Sequence, residues 1–313
     1  MISDHVFLNT VMSANSLTDA SKMSYMKHLR QVKKNIPHPL NASYYNMILH
    51  PKQVMNEVTR LIRENKVSLN TGKAHIVSLA MLIKRANENN LTTEAMQSVH
   101  KDWIDNVNKI NGRVLSTIED NKLSKREKDG WVDYNEWKDL EKKLRSSEEG
   151  SQSHLLVAFH ALITPPRGGD LADVKIVSSN DPYTKKNKSF ILWDGITKPS
   201  YIVIREHKTN KKWPSLKQEL PQSLSKSLEI SLEQYPRQYL FESDGKPYKR
   251  GIFINWKNRE FKRLFGKPVT TNIARHAFVN HQESKPRSIK DKRVEAEMMG
   301  HSLSTHNEYR KLN

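Results

Sequence analysis

The 313 residues carry 52 Lys and Arg against 34 Asp and Glu, a net charge of +18 at pH 7. That excess calls for a polyanionic partner, and the absence of cysteine excludes disulfides, thiolate zinc sites and a cysteine nucleophile. No apolar run approaches the ~18 residues of a membrane span and the first residues lack a secretory-signal pattern, so a soluble intracellular protein is expected, of about two domains by length. The basic residues are spread along the chain rather than gathered on one amphipathic helix, which favours nucleic acid over a membrane surface.

The first part of the chain reads as helices. Met23, Met26, Leu29 and Val32 repeat every three residues within 18–36, and Pro37 and Pro39 end that helix. Pro51 opens a second, to about Glu64, with Val54, Val58, Leu61 and Ile62 on one face. Asn70 or Thr71 is placed to cap a third through about Asn87, rich in apolar residues and so central. Thr92 or Thr93 starts a fourth, carrying Met96, Val99, Trp103, Val107 and Ile110. Four helices with short loops predict a small bundle over 1–110. The polar stretch that follows reads as an interdomain linker over 111–130.

The second domain, 131–313, mixes elements. Helices are expected over 135–145 and 153–162. Apolar runs at 189–193 and 201–204, and a stretch ending near Leu220, predict a three-stranded antiparallel sheet, with turns at Asp194-Gly195 and over 208–212. Helical patterns resume at 222–233, 251–264, 271–281, 288–299 and from Thr305. The fold class is therefore α+β, mostly helical. From Lys246 to Asn313 there are 16 Lys and Arg against 6 Asp and Glu, a net of +10, a concentration that phosphate contacts explain.

Four separated segments carry chemistry. The first is Thr164-Pro-Pro-Arg-Gly-Gly-Asp-Leu171, an arginine after an apolar helix with an acid three residues on. The second is His207-Lys-Thr-Asn-Lys-Lys212, a lysine in a hairpin turn. The third is Thr271-Asn-Ile-Ala-Arg-His-Ala-Phe278, an arginine in the first turns of a helix. The fourth runs from Met299-Gly-His to Tyr309, a Gly-His pair with a tyrosine eight residues after the histidine.

In this order the segments resemble the tyrosine recombinase, or phage-type integrase, family. The resemblance covers about 131–313; the N-terminal half looks like that family's SAM-like core-binding domain, which clamps DNA, by position and class only. It implies Arg167 as the first catalytic arginine, Asp170 as the acid orienting it, Lys208 as the hairpin lysine, Arg275 as the second arginine, His301 as the histidine after glycine and Tyr309 as the nucleophile. It further implies double-stranded DNA as partner, a 3′-phosphotyrosine intermediate and a homo-tetramer on two DNA sites.

These residue types suit the chemistry. Attack on phosphorus builds charge on the non-bridging oxygens, which two guanidiniums hold by forked, charge-assisted hydrogen bonds. A phenol with pKa ~10 is a poor nucleophile at neutral pH. Cations favour its phenolate, and an imidazole takes or shares its proton. Lys208 on a turn can protonate the departing sugar oxygen. The phosphotyrosyl link keeps the bond energy for resealing. Two arginines do what Mg²⁺ does at other phosphoryl-transfer sites, so neither a cofactor nor a metal is expected.

Two departures from the family pattern stand out. Asn272 occupies the first position of the family's His-x-x-Arg motif; an amide donates a hydrogen bond to phosphate but carries no proton. His276, one residue past Arg275, is turned ~100° from it and is not expected to replace Asn272. Second, four residues follow Tyr309, where many family members have a segment that docks on a neighbouring subunit. The expected function is integration or excision of a mobile or viral genome. The alternatives are a type IB topoisomerase-like enzyme and a DNA-binding protein that has lost catalysis.

Overall fold

The structure is a computed structural model that describes residues 3–119, 121–194 and 200–311. The chain divides into two compact units, Met1–Asp120 and Asn121–Asn313, each with its own core.

Among the described residues the first unit holds seven α-helices: α1 (Asp4–Met12), α2 (Asp19–Asn35), α3 (Tyr44–Leu49), α4 (Pro51–Arg63), α5 (Leu69–Glu88), α6 (Glu94–Ser98) and α7 (His100–Glu119). The expected four-helix count is therefore too low. The 18–36 and 51–64 helices are α2 and α4, and the third is α5, capped by Ser68 rather than Asn70 or Thr71. The fourth is broken at Val99 into α6, capped by Thr93, and α7. The helices α1 and α3 were not anticipated. Trp103 of α7 is buried and its indole N–H donates to the Ile48 carbonyl at 2.8 Å, tying α7 to α3. Leu29, Val58, Leu79 and Leu82 complete an apolar centre, each such side chain contributing about 1.5–3 kcal/mol on burial.

The stretch expected to be a linker is largely helical. Helix α7 runs through its first half, and α8 (Lys125–Gly130) fills its second, closed by a reciprocal cap between Ser124 and Glu127. Charged residues along a solvated helix face give the same composition as a linker, and the division between the two units falls inside this stretch.

The second unit continues with α9 (Tyr134–Glu148) and α10 (Gln152–Ala161), then β1 (Lys175–Val177), β2 (Phe190–Leu192), β3 (Tyr201–Ile204) and β4 (Leu216–Glu219). Helix α11 (Gln222–Gln234), the short pair β5 (Glu242–Ser243) and β6 (Lys246–Pro247), and α12 (Arg250–Phe265), α13 (Thr271–Glu283), α14 (Ile289–Met298) and α15 (Leu303–Tyr309) follow. The sheet has four strands, not three. The segments β2, β3 and β4 pair antiparallel as expected, and β1 adds in parallel to β2. The turn expected at Asp194-Gly195 runs into 195–199, outside the described residues. The 208–212 turn lies in the β3–β4 connection.

Helix α10 is buried from His154 to its end at Ala161, which explains its run of apolar residues. Around it pack Trp137 of α9 and Phe261 of α12, rings edge-to-face at 5.0 Å. Among the described residues, no helix of either unit is long and apolar enough to cross a membrane.

Candidate functional site

The segment after α10 makes a tight turn in which the Asp170 N–H bonds to the Arg167 carbonyl at 3.0 Å. The turn turns the Arg167 side chain toward the end of α14. There Arg167 donates from Nη1 to Thr209 Oγ1 at 2.8 Å and from Nη2 to the Gly300 carbonyl at 2.7 Å. Thr209 in turn donates to the same carbonyl at 2.8 Å.

The Gly-His pair has a backbone reason. Helix α14 ends with Gly300 in the left-handed region, φ +68°. The Gly300 N–H bonds to Glu297 O at 2.8 Å and the His301 N–H to Ala296 O at 3.0 Å, the double closure of a Schellman motif, which favours glycine at this position. A Cβ there would also stand 3.3 Å from Thr209 Oγ1. The reversal exposes the Met299 and Gly300 carbonyls, at the negative end of the helix, to two arginines. Arg167 takes Gly300. Arg275 of α13, 1% exposed, donates to Met299 O at 2.9 Å and to Pro165 O at 2.8 Å.

Among the described residues neither guanidinium has a carboxylate in contact. The Asp170 expected to orient Arg167 instead accepts from Arg250 at 2.8 Å. Gly169 permits this, because a Cβ on it would strike the Arg250 side chain at 2.6 Å. Arg275 has its Nε unpaired, and burial pushes its pKa down. One buried and one half-buried forked cation, both held by neutral acceptors, make a site that favours an anion.

Tyr309 closes the cluster. Its ring centroid lies 5.1 Å from the Arg275 guanidinium, 4.9 Å from the His301 ring and 4.7 Å from the His276 ring. The chain around it is pinned: His276 Nδ1 bonds the Tyr309 carbonyl at 2.8 Å, and the Asn280 side chain holds both the N–H and the carbonyl of Lys311. His276 does not stand in for Asn272. It has a different place, on the far side of Tyr309 with its Nε2 3.2 Å from Glu127 Oε1. That contact is the largest cause holding the Glu127 carboxyl down at about 2.

His301 is 3.4 Å from Arg275 at Nδ1 and 3.2 Å from His306 Nδ1 at Nε2. An arginine can only donate, so His301 Nδ1 accepts and its proton sits on Nε2, pointing at His306. His306 Nδ1 therefore accepts, and its own Nε2–H faces Glu295 Oε1 at 3.3 Å, close but without hydrogen-bond alignment. Glu295 is held from its other oxygen by Arg287. Burial, then Arg275, His306 and Arg167, push the His301 pKa down to about 3, so it is a neutral imidazole at physiological pH. Because Arg275 sets the His301 tautomer, His306→Leu is expected to remove the acceptor of the Nε2–H and leave that tautomer in place. Imidazole ¹⁵N spectra read the protonated nitrogen; a switch to the Nδ1–H form in His306→Leu would show that His306, not Arg275, sets it.

Of the sequence-predicted residues, the fold brings Arg167, Arg275, His301 and Tyr309 together. Lys208 is exposed on its turn without a partner among the described residues; its neighbour Thr209 makes the tie to Arg167. Asn272, exposed in the first turn of α13, faces an adjoining cavity of about 310 Å³ lined also by Gly168, Lys257 and Thr271. Sequence reasoning missed Thr209, Glu127, Lys257 and His306. Only His306 left a trace, lying one helical turn before Tyr309 on the same face.

No protein-family model matches this chain, and no curated protein matches it either.

Proposed function

We propose that the chain is a DNA strand-cleaving and rejoining enzyme of the tyrosine recombinase type. The observation that carries this reading is the pair of guanidiniums, Arg167 and Arg275, fixed by neutral backbone carbonyls beside Tyr309. A phosphodiester supplies the two non-bridging oxygens that such a pair lacks. The resemblance of the four segments supports it independently.

In the proposed reaction Tyr309 Oη attacks the phosphorus and the bond to the 5′-oxygen breaks. Its proton passes toward His301 Nδ1, which accepts only a long 3.4 Å contact from Arg275. The two arginines hold the charge that builds on the phosphoryl oxygens. Lys208 protonates the leaving 5′-oxygen, and the 3′-phosphotyrosyl link remains. The reverse attack, by the 5′-hydroxyl of a second strand, breaks that link and restores the phenol. Asn272 donates a hydrogen bond to the DNA without carrying a proton. The helical first unit contributes duplex binding, and strand exchange between two sites uses four copies. Integration or excision of a mobile or viral genome is the biological setting that fits.

The test is a nicked duplex drawn from the DNA flanking the gene, incubated with the full chain and run on a denaturing gel. A protein–DNA band that survives denaturation is expected. Duplex binding with no such band would leave a DNA-binding protein without catalysis.

A further inference from the structure

Lys257 lies in the middle of α12, 2% exposed. Its ammonium donates to Thr271 Oγ1 and sits 5.4 Å from the Phe261 ring centroid. Among the described residues no carboxylate pairs with it. Burying an ammonium costs several kcal/mol unless a counter-charge offsets it, and here burial alone drags the pKa down to about 8. A lysine kept in this position at such a cost needs an explanation.

The explanation lies in the cavity it borders. The roughly 310 Å³ space is bounded by Lys257, Asn258 and Ile254 of α12, by Thr271 and Asn272 opening α13, by Gly168, and by Ser124, Arg126 and Glu127 at α8. Donor groups predominate. Glu127 is the one acid among these residues, and its carboxylate is engaged by His276 and Ser124. Asn258 has a buried amide oxygen with no partner. Gly168 lies directly against the ammonium: a Cβ on it would stand 3.5 Å from Lys257 Nζ, an ordinary contact. The same glycine follows Arg167, so the cavity adjoins the anion-favouring cluster and is distinct from it.

We propose that this cavity is a second phosphate site, in which Lys257, assisted by Arg126 and the Asn272 amide, holds a DNA backbone phosphate neighbouring the one gripped by Arg167 and Arg275. The proposal rests on the recombinase reading for the source of that phosphate. Its chemistry, a phosphate compensating a buried ammonium, does not. Engaging both phosphates at once would fix the register of the strand over Tyr309.

The experiment uses the full chain with inorganic phosphate as probe, in an Arg167→Met background that disables the neighbouring grip. Adding Lys257→Met is expected to weaken phosphate binding roughly tenfold or more, the effect of losing a charged hydrogen bond. The same change is expected to leave the melting temperature without phosphate equal or higher, since an apolar chain of like length removes a buried charge. A purely structural lysine predicts the opposite: a lower melting temperature and unchanged phosphate affinity, and that result overturns the site. Arg126→Ala, at an exposed position, is expected to weaken phosphate binding by about twofold to fivefold and reads the site without touching the core. Against duplex DNA, Lys257→Met alone should lower the slope of log affinity on log salt by about 0.9, one phosphate contact. An unchanged slope with lost phosphate binding means the cavity takes free phosphate, and the DNA assignment falls. If the wild-type chain holds no duplex at all, the recombinase reading falls with it, and the phosphate titration still decides the cavity.

Discussion

Arg275→Lys is expected to slow covalent adduct formation by about 10²–10³, the scale on which one preorganised transition-state donor contributes. The charge is kept, so the salt dependence of duplex binding should not move. What is lost is the fork. In the wild type Nη1 holds Pro165 O and Nη2 holds Met299 O, which leaves the guanidinium plane fixed beside Tyr309 with Nε unpaired. An ammonium has no such plane and cannot satisfy both carbonyls and still face a phosphate. A single-turnover rate equal to wild type would show that Arg275 acts only as a charge, and the geometric argument for the site would fail.

Tyr309→Phe is expected to abolish the adduct altogether while duplex affinity stays within about threefold and folding stability within about 0.5 kcal/mol. The ring contacts to His276 and His301 and the cation over its face survive in phenylalanine, and the backbone ties to His276 and through Lys311 to Asn280 do not involve the hydroxyl. What is removed is the nucleophilic hydroxyl together with its contact to Arg275. This separates catalysis from binding: a variant that still forms the adduct places the nucleophile elsewhere, whereas a variant that unfolds shows a structural tyrosine.

Much of the second unit was legible because its helices carry long periodic faces. Residues 222–233, 251–264 and 271–281 correspond to α11, α12 and α13 within two residues at each end. Strand β1 was not legible: three residues give no alternation to read, and its parallel pairing with β2 is a contact between segments the sequence does not juxtapose. In the first unit α3 has six residues between Ser43 and His50, too few to show a period. The polar 111–130 stretch hid helix behind charge.

The site divides along the same line. Arg167, Arg275, His301 and Tyr309 sit in local patterns, a Gly-Gly turn, a helix start and a Gly-His reversal, and local patterns survive in one dimension. Asp170 was misassigned because its partner Arg250 lies 80 residues away. Lys257 and Glu127 were invisible for a like reason. A lysine on a helix with Arg259, Lys262 and Arg263 reads as part of a basic face, and only the packing of α12 on α13 shows its ammonium turned inward against Thr271.

The most direct measurement is the identity of the linked residue. A nicked duplex from the DNA flanking the gene is trapped with the wild-type chain, the complex is digested with protease and nuclease, and the nucleotide-bearing peptide is sequenced by mass spectrometry. A 3′-phosphate esterified to Tyr309 is the predicted result. A nucleotide on any other residue, or a link through the 5′-phosphate, would contradict the assignment of Arg167, Arg275, His301 and Tyr309 to one scissile phosphate.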